Sequence, residues 1–340
     1  MDKLSFFVPG DIFKDSSFQA EMDQRLEPFF ENQLLPEFWK GTLADRNPEL
    51  HMKMFAIIGE KDSFSIPIDD HDDFTIPNVS PWGQVLAQYK AKIREALPAC
   101  GRLETVEGFQ QSYGSAWLVR PDVLVTNSHV AYQFCDPLTK PWNLSRRVKV
   151  DFSHDPNRAS NLKNYELTKV LHIEVPNDLK KPNPKPDLAL FRVNPMNNFI
   201  GQIPTPIDLA SNNEKPKHVA VIGFPFPRNH CNSWDTVNRI FGGKFNRKNL
   251  QPGLVVKNDW PDVDITECCP DADGMQKLVA AVSSLAHTCP TVSGNSGSVV
   301  LDIETGKAVG LHFGGCIGLA NFAVPARQIR AKLVELNLIA

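Results

Sequence analysis

A chain of 340 residues can bury a substantial core, and its 42% hydrophobic and 22% charged content is ordinary for a globular protein. The 36 basic and 39 acidic residues leave a net charge of −3, which excludes bulk electrostatic binding of nucleic acid. No run approaches the roughly 18 apolar residues of a membrane-spanning helix, and 27 prolines favour strands joined by ordered loops over helical bundles.

The first ten residues carry neither a long apolar segment nor a small-residue cleavage site, so the expectation is a cytoplasmic protein, or a secreted one if a leader has been removed. Seven cysteines, an odd number with no Cys-x-x-Cys pair, read as mainly reduced thiols, with a Cys289–Cys316 bridge as the alternative under oxidising conditions. From Asp15 to Phe38, apolar and aromatic residues recur at helical spacing (Phe18, Met22, Leu26, Phe29, Phe30, Leu34, Leu35), with Asp15, Ser16 and Ser17 as caps and Pro28 as a kink. Met54–Ile58 reads as a short strand. The acidic stretch Ile68–Pro77 gathers Asp and His, but no metal-ligand spacing fits, and a solvated loop is the better reading. Gly83–Leu97 is an amphipathic helix with Val85, Leu86, Tyr89, Ile93 and Leu97 on one side and Pro98 as its stop. Residues 1–100 thus form a partly helical extension, expected to be regulatory, partner-docking or propeptide-like.

From Leu103 the pattern changes to short alternating strands between turns. Gly114–Val119 and Val123–Thr126, split by Arg-Pro-Asp, form a hairpin signature. Further strands are expected at Val148–Phe152, Leu167–Ile173, Leu188–Val193, His218–Gly223, Gly253–Val256, Lys277–Ala281, Ser298–Leu301 and Ala308–Phe313. Val324–Leu338 closes the chain as an amphipathic helix. Strands without intervening helices predict a mainly β fold, an antiparallel barrel or sandwich over residues 101–340.

Three places in this β region carry chemistry. Ser296 is bracketed by Gly294 and Gly297 in Thr291-Val-Ser-Gly-Asn-Ser-Gly-Ser298, a tight turn before an apolar strand. His129 follows the strand ending at Thr126, and Asp187 stands at the mouth of Leu188–Val193. Serine attack needs a base to take the hydroxyl proton, and the base needs a carboxylate to fix its tautomer. Taken singly, each has a bland reading: a loop serine, a satisfied polar histidine, a capping aspartate. Together they occur in the order His, Asp, Ser, 58 residues (129 to 187) and 109 residues (187 to 296) apart, which is the order of the chymotrypsin-like arrangement.

Thr126-Asn-Ser-His-Val-Ala131 resembles the histidine motif of trypsin-like serine proteases in their bacterial form. Pro186-Asp-Leu-Ala-Leu190 is similar to the aspartate motif, Ser293-Gly-Asn-Ser-Gly-Ser298 to the serine motif, and Gly114–Val119 to the strand before the histidine. The resemblance covers roughly residues 103 to 335. It implies a double six-stranded β-barrel with the site in the cleft between barrels, Ser296 as nucleophile, His129 as general base and Asp187 as its orienter. The amides of Gly294 and Ser296 would form the oxyanion hole. No cofactor or metal is implied.

The segment 288–293 carries no acidic residue, which argues against a preference for Arg or Lys. Gly310-Leu-His-Phe-Gly-Gly315 resembles the glutamyl endopeptidase motif, in which a histidine and a hydroxyl residue grip a substrate carboxylate; Thr291 and His312 occupy those places. Phe313, Gly314 and Gly315 would pair with extended substrate. Asn295 stands where animal zymogens carry an aspartate, so their activation switch is absent. The expectation is a serine endopeptidase cutting protein or peptide substrates after acidic residues, Glu foremost, through an acyl-enzyme, with a regulatory partner docking on the extension. The rivals are a silent protease-fold module that binds acidic peptides, and a protease of other specificity in which His312 is structural.

Overall fold

The computed structural model describes residues 63–79, 81–106, 111–136, 141–153, 155, 163–174, 185–196, 202–227, 234–260, 284–315 and 321–339. The helix expected at Asp15–Phe38, the strands at Met54–Ile58 and Lys277–Ala281, and Cys316 lie outside them. The described chain begins with β1 (Ile66–Pro67) and α1 (Trp82–Ala96), which runs into a 3-10 turn at Leu97–Ala99. Pro98 is accommodated in that turn, where the missing N–H costs little.

Six strands follow: β2 (Cys100–Thr105), β3 (Ser112–Arg120), β4 (Val123–Thr126), β5 (Val148–Asp151), β6 (Asn164–Ile173) and β7 (Ala189–Val193), with the single helical turn α2 (Ser128–Ala131) after β4. They close into a barrel in the order β2-β3-β4-β7-β6-β5. The second set is β8 (His218–Gly223), β9 (Asn249–Trp260), β10 (Ser284–His287), β11 (Val299–Asp302), β12 (Ala308–Gly315) and β13 (Asn321–Pro325), with α3 (Trp234–Phe241) between β8 and β9. Its order is β8-β9-β10-β13-β12-β11, closed by the β11–β8 pairing, with β1 added along β9. The fold is therefore two closed six-stranded antiparallel barrels of identical strand order, the chymotrypsin-like architecture that the resemblance implied.

The closing helix α4 (Ala326–Glu335) starts later than its periodicity suggests, because Val324 and Pro325 finish β13. Pro325, with φ fixed near its observed −63°, hands the chain from strand to helix. The strand β2 escaped the sequence reading because Arg102 and Glu104 break its apolar pattern; both are buried as an ion pair.

One core runs through both barrels and under α1, joining Leu86 and Ile93 to Trp117, Leu190, Leu301, Leu311 and Ile329. The acidic stretch 68–77 is a solvated loop only in part: Asp69, Asp70 and His71 are exposed, whereas Ile68 and Phe74 are buried and Asp72 and Asp73 are paired. Asp72 accepts from Lys163 Nζ at 2.9 Å and from Lys248 Nζ at 3.2 Å, while Asp73 pairs with Lys90 at 2.8 Å. Lys248, 0% exposed, also donates to the carbonyls of Leu97 at 2.7 Å and Phe152 at 3.0 Å. Its ammonium thus ties the second barrel, the first barrel and the segment before them at one point. Burial pulls its pKa below the ordinary lysine value, with the Asp72 charge opposing.

Candidate active site

The histidine and aspartate meet because of strand register. β4 and β7 are antiparallel with Thr126 opposite Ala189, so residues just after Thr126 face residues just before Ala189. Asn127 Nδ2 donates to the carbonyl of Asp187 at 2.9 Å, and Ser128 Oγ to that of Leu188 at 2.9 Å. The backbone N–H of His129 donates to Asp187 Oδ1 at 3.1 Å, and its ring Nδ1 lies 2.5 Å from Oδ2. Two bonds therefore hold the two backbones together and two more hold the carboxylate against His129, leaving Nε2 turned from the aspartate. Burial disfavours the imidazolium, but the charge and hydrogen bond of Asp187 outweigh it and hold the His129 pKa above its ordinary 6.5.

A further carboxylate backs this pair. Glu174 donates its amide to Leu188 O at 2.9 Å and accepts the Tyr132 hydroxyl on its own carbonyl at 3.0 Å. Its buried side chain meets His172 at 2.7 Å, Lys185 at 2.8 Å and, from α4, Lys332 at 3.3 Å. Burial works against the charge, yet these donors keep the Glu174 pKa down to about 2.

The serine segment consists of two consecutive tight turns. Asn295 N–H returns to Val292 O at 3.1 Å and Ser298 N–H to Asn295 O at 2.9 Å. Each turn has a glycine at its third position, Gly294 at φ +88° and Gly297 at φ +85°. That conformation suits glycine, and both sites are also crowded. A Cβ on Gly297 would stand 2.0 Å from Ser115 O, and one on Gly294 2.3 Å from Phe224 O. Among the described residues, the N–H groups of Gly294 and Ser296 donate to no protein acceptor.

Ser115, on β3 of the first barrel, joins the two halves. Its N–H donates to Ser296 O at 2.8 Å, its Oγ donates to Gly294 O at 2.8 Å, and the same Oγ accepts from Phe224 N–H at 3.0 Å. Thr126 Oγ1, three residues before His129, donates to Ser115 O at 2.8 Å. Neighbouring Gly114 fits between the two motifs: a Cβ there would lie 2.9 Å from Ser296 O and 3.1 Å from Val130 Cγ2. The structure thus brings the Ser296 turn against the helical turn that carries His129. Among the described residues, burial pushes the free thiols of Cys100 and Cys135 up to about 12 and raises that of Cys289, so none of the three is a ready thiolate.

The expected substrate-binding residues line the second barrel beside this turn. His312 is 3% exposed, its N–H donates to Ser298 O at 2.9 Å, and its carbonyl accepts from Gly297 N–H at 2.9 Å. Burial, reinforced by the proximity of His129, drives its pKa down to about 3, so the ring is neutral. His287, also buried, stands edge-on to it with centroids 5.4 Å apart. Thr291 Oγ1 donates to Asn321 Oδ1 at 2.6 Å, and Asn321 Nδ2 donates to Cys289 O at 2.8 Å. Phe313 is a core residue stacked on Phe322 at 6.4 Å. β12 pairs with β13 through Gly314 and Gly315, but its pairing with β11 extends only to Leu311. The opposite edge of residues 313–315 is open among the described strands.

The model of the trypsin-like peptidase domain matches residues 114–311, a span running from the glycine beside Ser296 into the strand that bears His312. The chain belongs to the trypsin-like peptidase family. A probable serine protease of Lysobacter enzymogenes is 24% identical over 343 residues, covering 93% of this chain and 83% of its own. Among solved structures, the active form of the Rv3671c protease from M. tuberculosis superposes with a TM-score of 0.44 at 17% identity, over 74% of this chain and 86% of that one. Deg5 superposes at 0.46 and 17% identity, over 75% and 95% respectively.

Several residues that organise this trypsin-like peptidase were not singled out from sequence. Asn127 and Ser128 lay inside a recognised motif, and their neighbourhood with His129 was the available signal. Ser115 lay inside the Gly114–Val119 segment, which carried a resemblance but no role for this residue; His287 and Asn321 carried no signal, because their partners lie far along the chain. Among the described residues, no group of three or more His, Cys, Asp or Glu gathers as metal ligands do.

Proposed function

We propose that this chain is a serine endopeptidase acting through an acyl-enzyme, with a preference for an acidic residue, Glu foremost, before the scissile bond. The observation that carries the reading is the His129–Asp187 pair, 2.5 Å apart, beside a serine turn whose Gly294 and Ser296 amides have no acceptor among the described residues. In this reading Ser296 Oγ attacks the substrate carbonyl while His129 Nε2 takes the hydroxyl proton. Negative charge moves to the carbonyl oxygen, where the two amides receive it; such donors contribute about 2.7–4 kcal/mol each to transition-state stabilisation. Collapse of the tetrahedral intermediate expels the amine, which takes the proton from His129. Water, deprotonated by the same imidazole, then frees the acid and restores the serine.

Support for the acidic preference comes from the uncharged His312 beside the serine turn and from the lack of an acidic residue in 288–293. A neutral imidazole can donate to a substrate carboxylate without carrying a permanent buried charge. One observation favours a different specificity: the Thr291 hydroxyl already donates to Asn321, so it serves a carboxylate only by turning away. Profiling a peptide library with wild type and Ser296→Ala decides among these readings. Cleavage after Glu that vanishes in the variant supports the proposal. Cleavage elsewhere supports the other specificity, and binding of acidic peptides without any turnover supports the silent module.

A further inference from the structure

We propose that Phe226, Phe245 and Trp234 form an aromatic ledge that binds a bulky apolar side chain of the substrate just after the scissile bond. The inference rests on the peptidase reading and concerns the part of the substrate that leaves first.

The ledge begins at the serine turn itself. After β8 the chain runs through Phe224, Pro225 and Phe226, and Phe226 N–H donates to Ser293 O at 2.7 Å. A Cβ on Gly294 would stand 2.8 Å from Cγ of the Phe226 ring, so this ring packs beside the Cα of the glycine that bears one of the two amides. Asn246 N–H donates to Pro225 O at 2.8 Å and brings Phe245 alongside. Phe245 rests on buried Phe241 with centroids 5.6 Å apart and stacks on Trp234 at 6.1 Å and 21°. Phe226 and Phe245 are half-buried, and Trp234 is 54% exposed. A tryptophan held by stacking yet open to water keeps a large apolar face available.

Geometry assigns the occupant. The serine turn is bounded on one side by His312, through the Gly297 N–H, and on the other by Phe224–Phe226. A substrate laid along the open edge of residues 313–315 reaches Ser296 from the first side. With its scissile carbonyl against Gly294 and Ser296, it must leave across Phe226. An extended chain advances about 3.3 Å per residue. Phe226 at the serine turn, followed by the stacked Phe245–Trp234 pair reached through Asn246, therefore lies on the path of the first few residues after the cut, and these apolar faces suit Phe, Leu or Trp there.

The test uses fluorogenic peptides identical before the cut and carrying Phe, Leu, Ser or Gly at the second position after it. A dye amide lacking any residue after the cut serves as the activity reference for wild type. Wild type is expected to cleave the Phe peptide with a kcat/KM about tenfold above the Gly peptide, and Phe226→Ala, Trp234→Ser and Phe245→Leu to bring that ratio towards one. Each variant is its own reference, so partial misfolding lowers both rates and leaves the ratio unmoved. A wild-type ratio of one, or a ratio that survives all three substitutions, overturns the ledge. Failure of wild type to cleave any substrate, the dye amide included, overturns the peptidase reading itself.

Discussion

Ser115 of the first barrel donates its hydroxyl to the carbonyl of Gly294 in the second, at 2.8 Å, and takes the N–H of Phe224 at 3.0 Å on the same oxygen. At 1% exposure no solvent replaces either bond. Ser115→Ala should therefore cost about 1–3 kcal/mol of stability, the usual penalty for stranding buried polar groups. It should also lower kcat more than it raises KM, because the turn that loses its brace carries the oxyanion donors. Denaturant unfolding and steady-state kinetics on one preparation check both, and unchanged kcat would count against the brace.

Asp187→Asn should preserve the fold while lowering kcat by about 10⁴-fold, the loss expected when the base is held in the wrong tautomer. The His129 N–H keeps an acceptor in the amide oxygen, but ring Nδ1 then loses its carboxylate. A decrease smaller than tenfold would show that the pair does not serve the chemistry.

The pH dependence follows from the raised His129 pKa. Attack requires the neutral ring, so kcat/KM should climb as pH rises through a value above 6.5. Stability runs the other way. A folded pKa above the unfolded one makes the contribution of the pair complete below 6.5, and it is lost as pH rises through the folded value. A rate profile and melting temperatures across the same buffers should show these opposite slopes, with the thermal slope absent in His129→Gln.

His312 makes a separate prediction. With its pKa down to about 3, it does not change charge between pH 5.5 and 9. The ratio of cleavage after Glu to cleavage after Gln should stay flat over that range, and fall towards one in His312→Ala. A ratio that collapses between pH 6 and 7 would mean that a protonated imidazole holds the carboxylate.

The buried ammonium of Lys248 and its counterion Asp72 form a third testable pair, 3.2 Å apart. Asp72→Asn leaves a buried cation without its charge partner and should destabilise by about 3 kcal/mol. Combining it with Lys248→Met should recover most of that loss, since the buried charge is then gone and the remaining partner of Asp72, Lys163, is exposed enough to be solvated. Urea midpoints of the single and double variants complete the cycle.

The sequence revealed the strands where a short apolar run was uninterrupted, as in His218–Gly223, whose bounds coincide with β8 and whose six residues are all buried. It also carried the His129, Asp187 and Ser296 motifs, because each is local: a strand end, a strand mouth and a glycine turn. The barrel repeat was not visible, since both halves need only alternation and closure, which many unrelated residues satisfy. β2 was hidden because two of its inward positions are charged and neutralise one another. The acidic stretch was legible only at its exposed end, Asp69 to His71; the partners of Asp72 lie 91 and 176 residues away at Lys163 and Lys248. Ser115 has ordinary neighbours; only the approach of the other barrel gives it a task.

The margin of β12 at residues 313–315, unpaired among the described strands, has a consequence for what such a site can take. A strand margin recognises main-chain amides, and in a folded protein most of these are already committed to their own helices and sheets. Only slack segments such as loops, tails and unravelled stretches can offer a free ribbon of backbone. Tightly folded neighbours would be spared by their own internal bonding, without any inhibitor, and damage that loosens a protein would itself mark it for cutting.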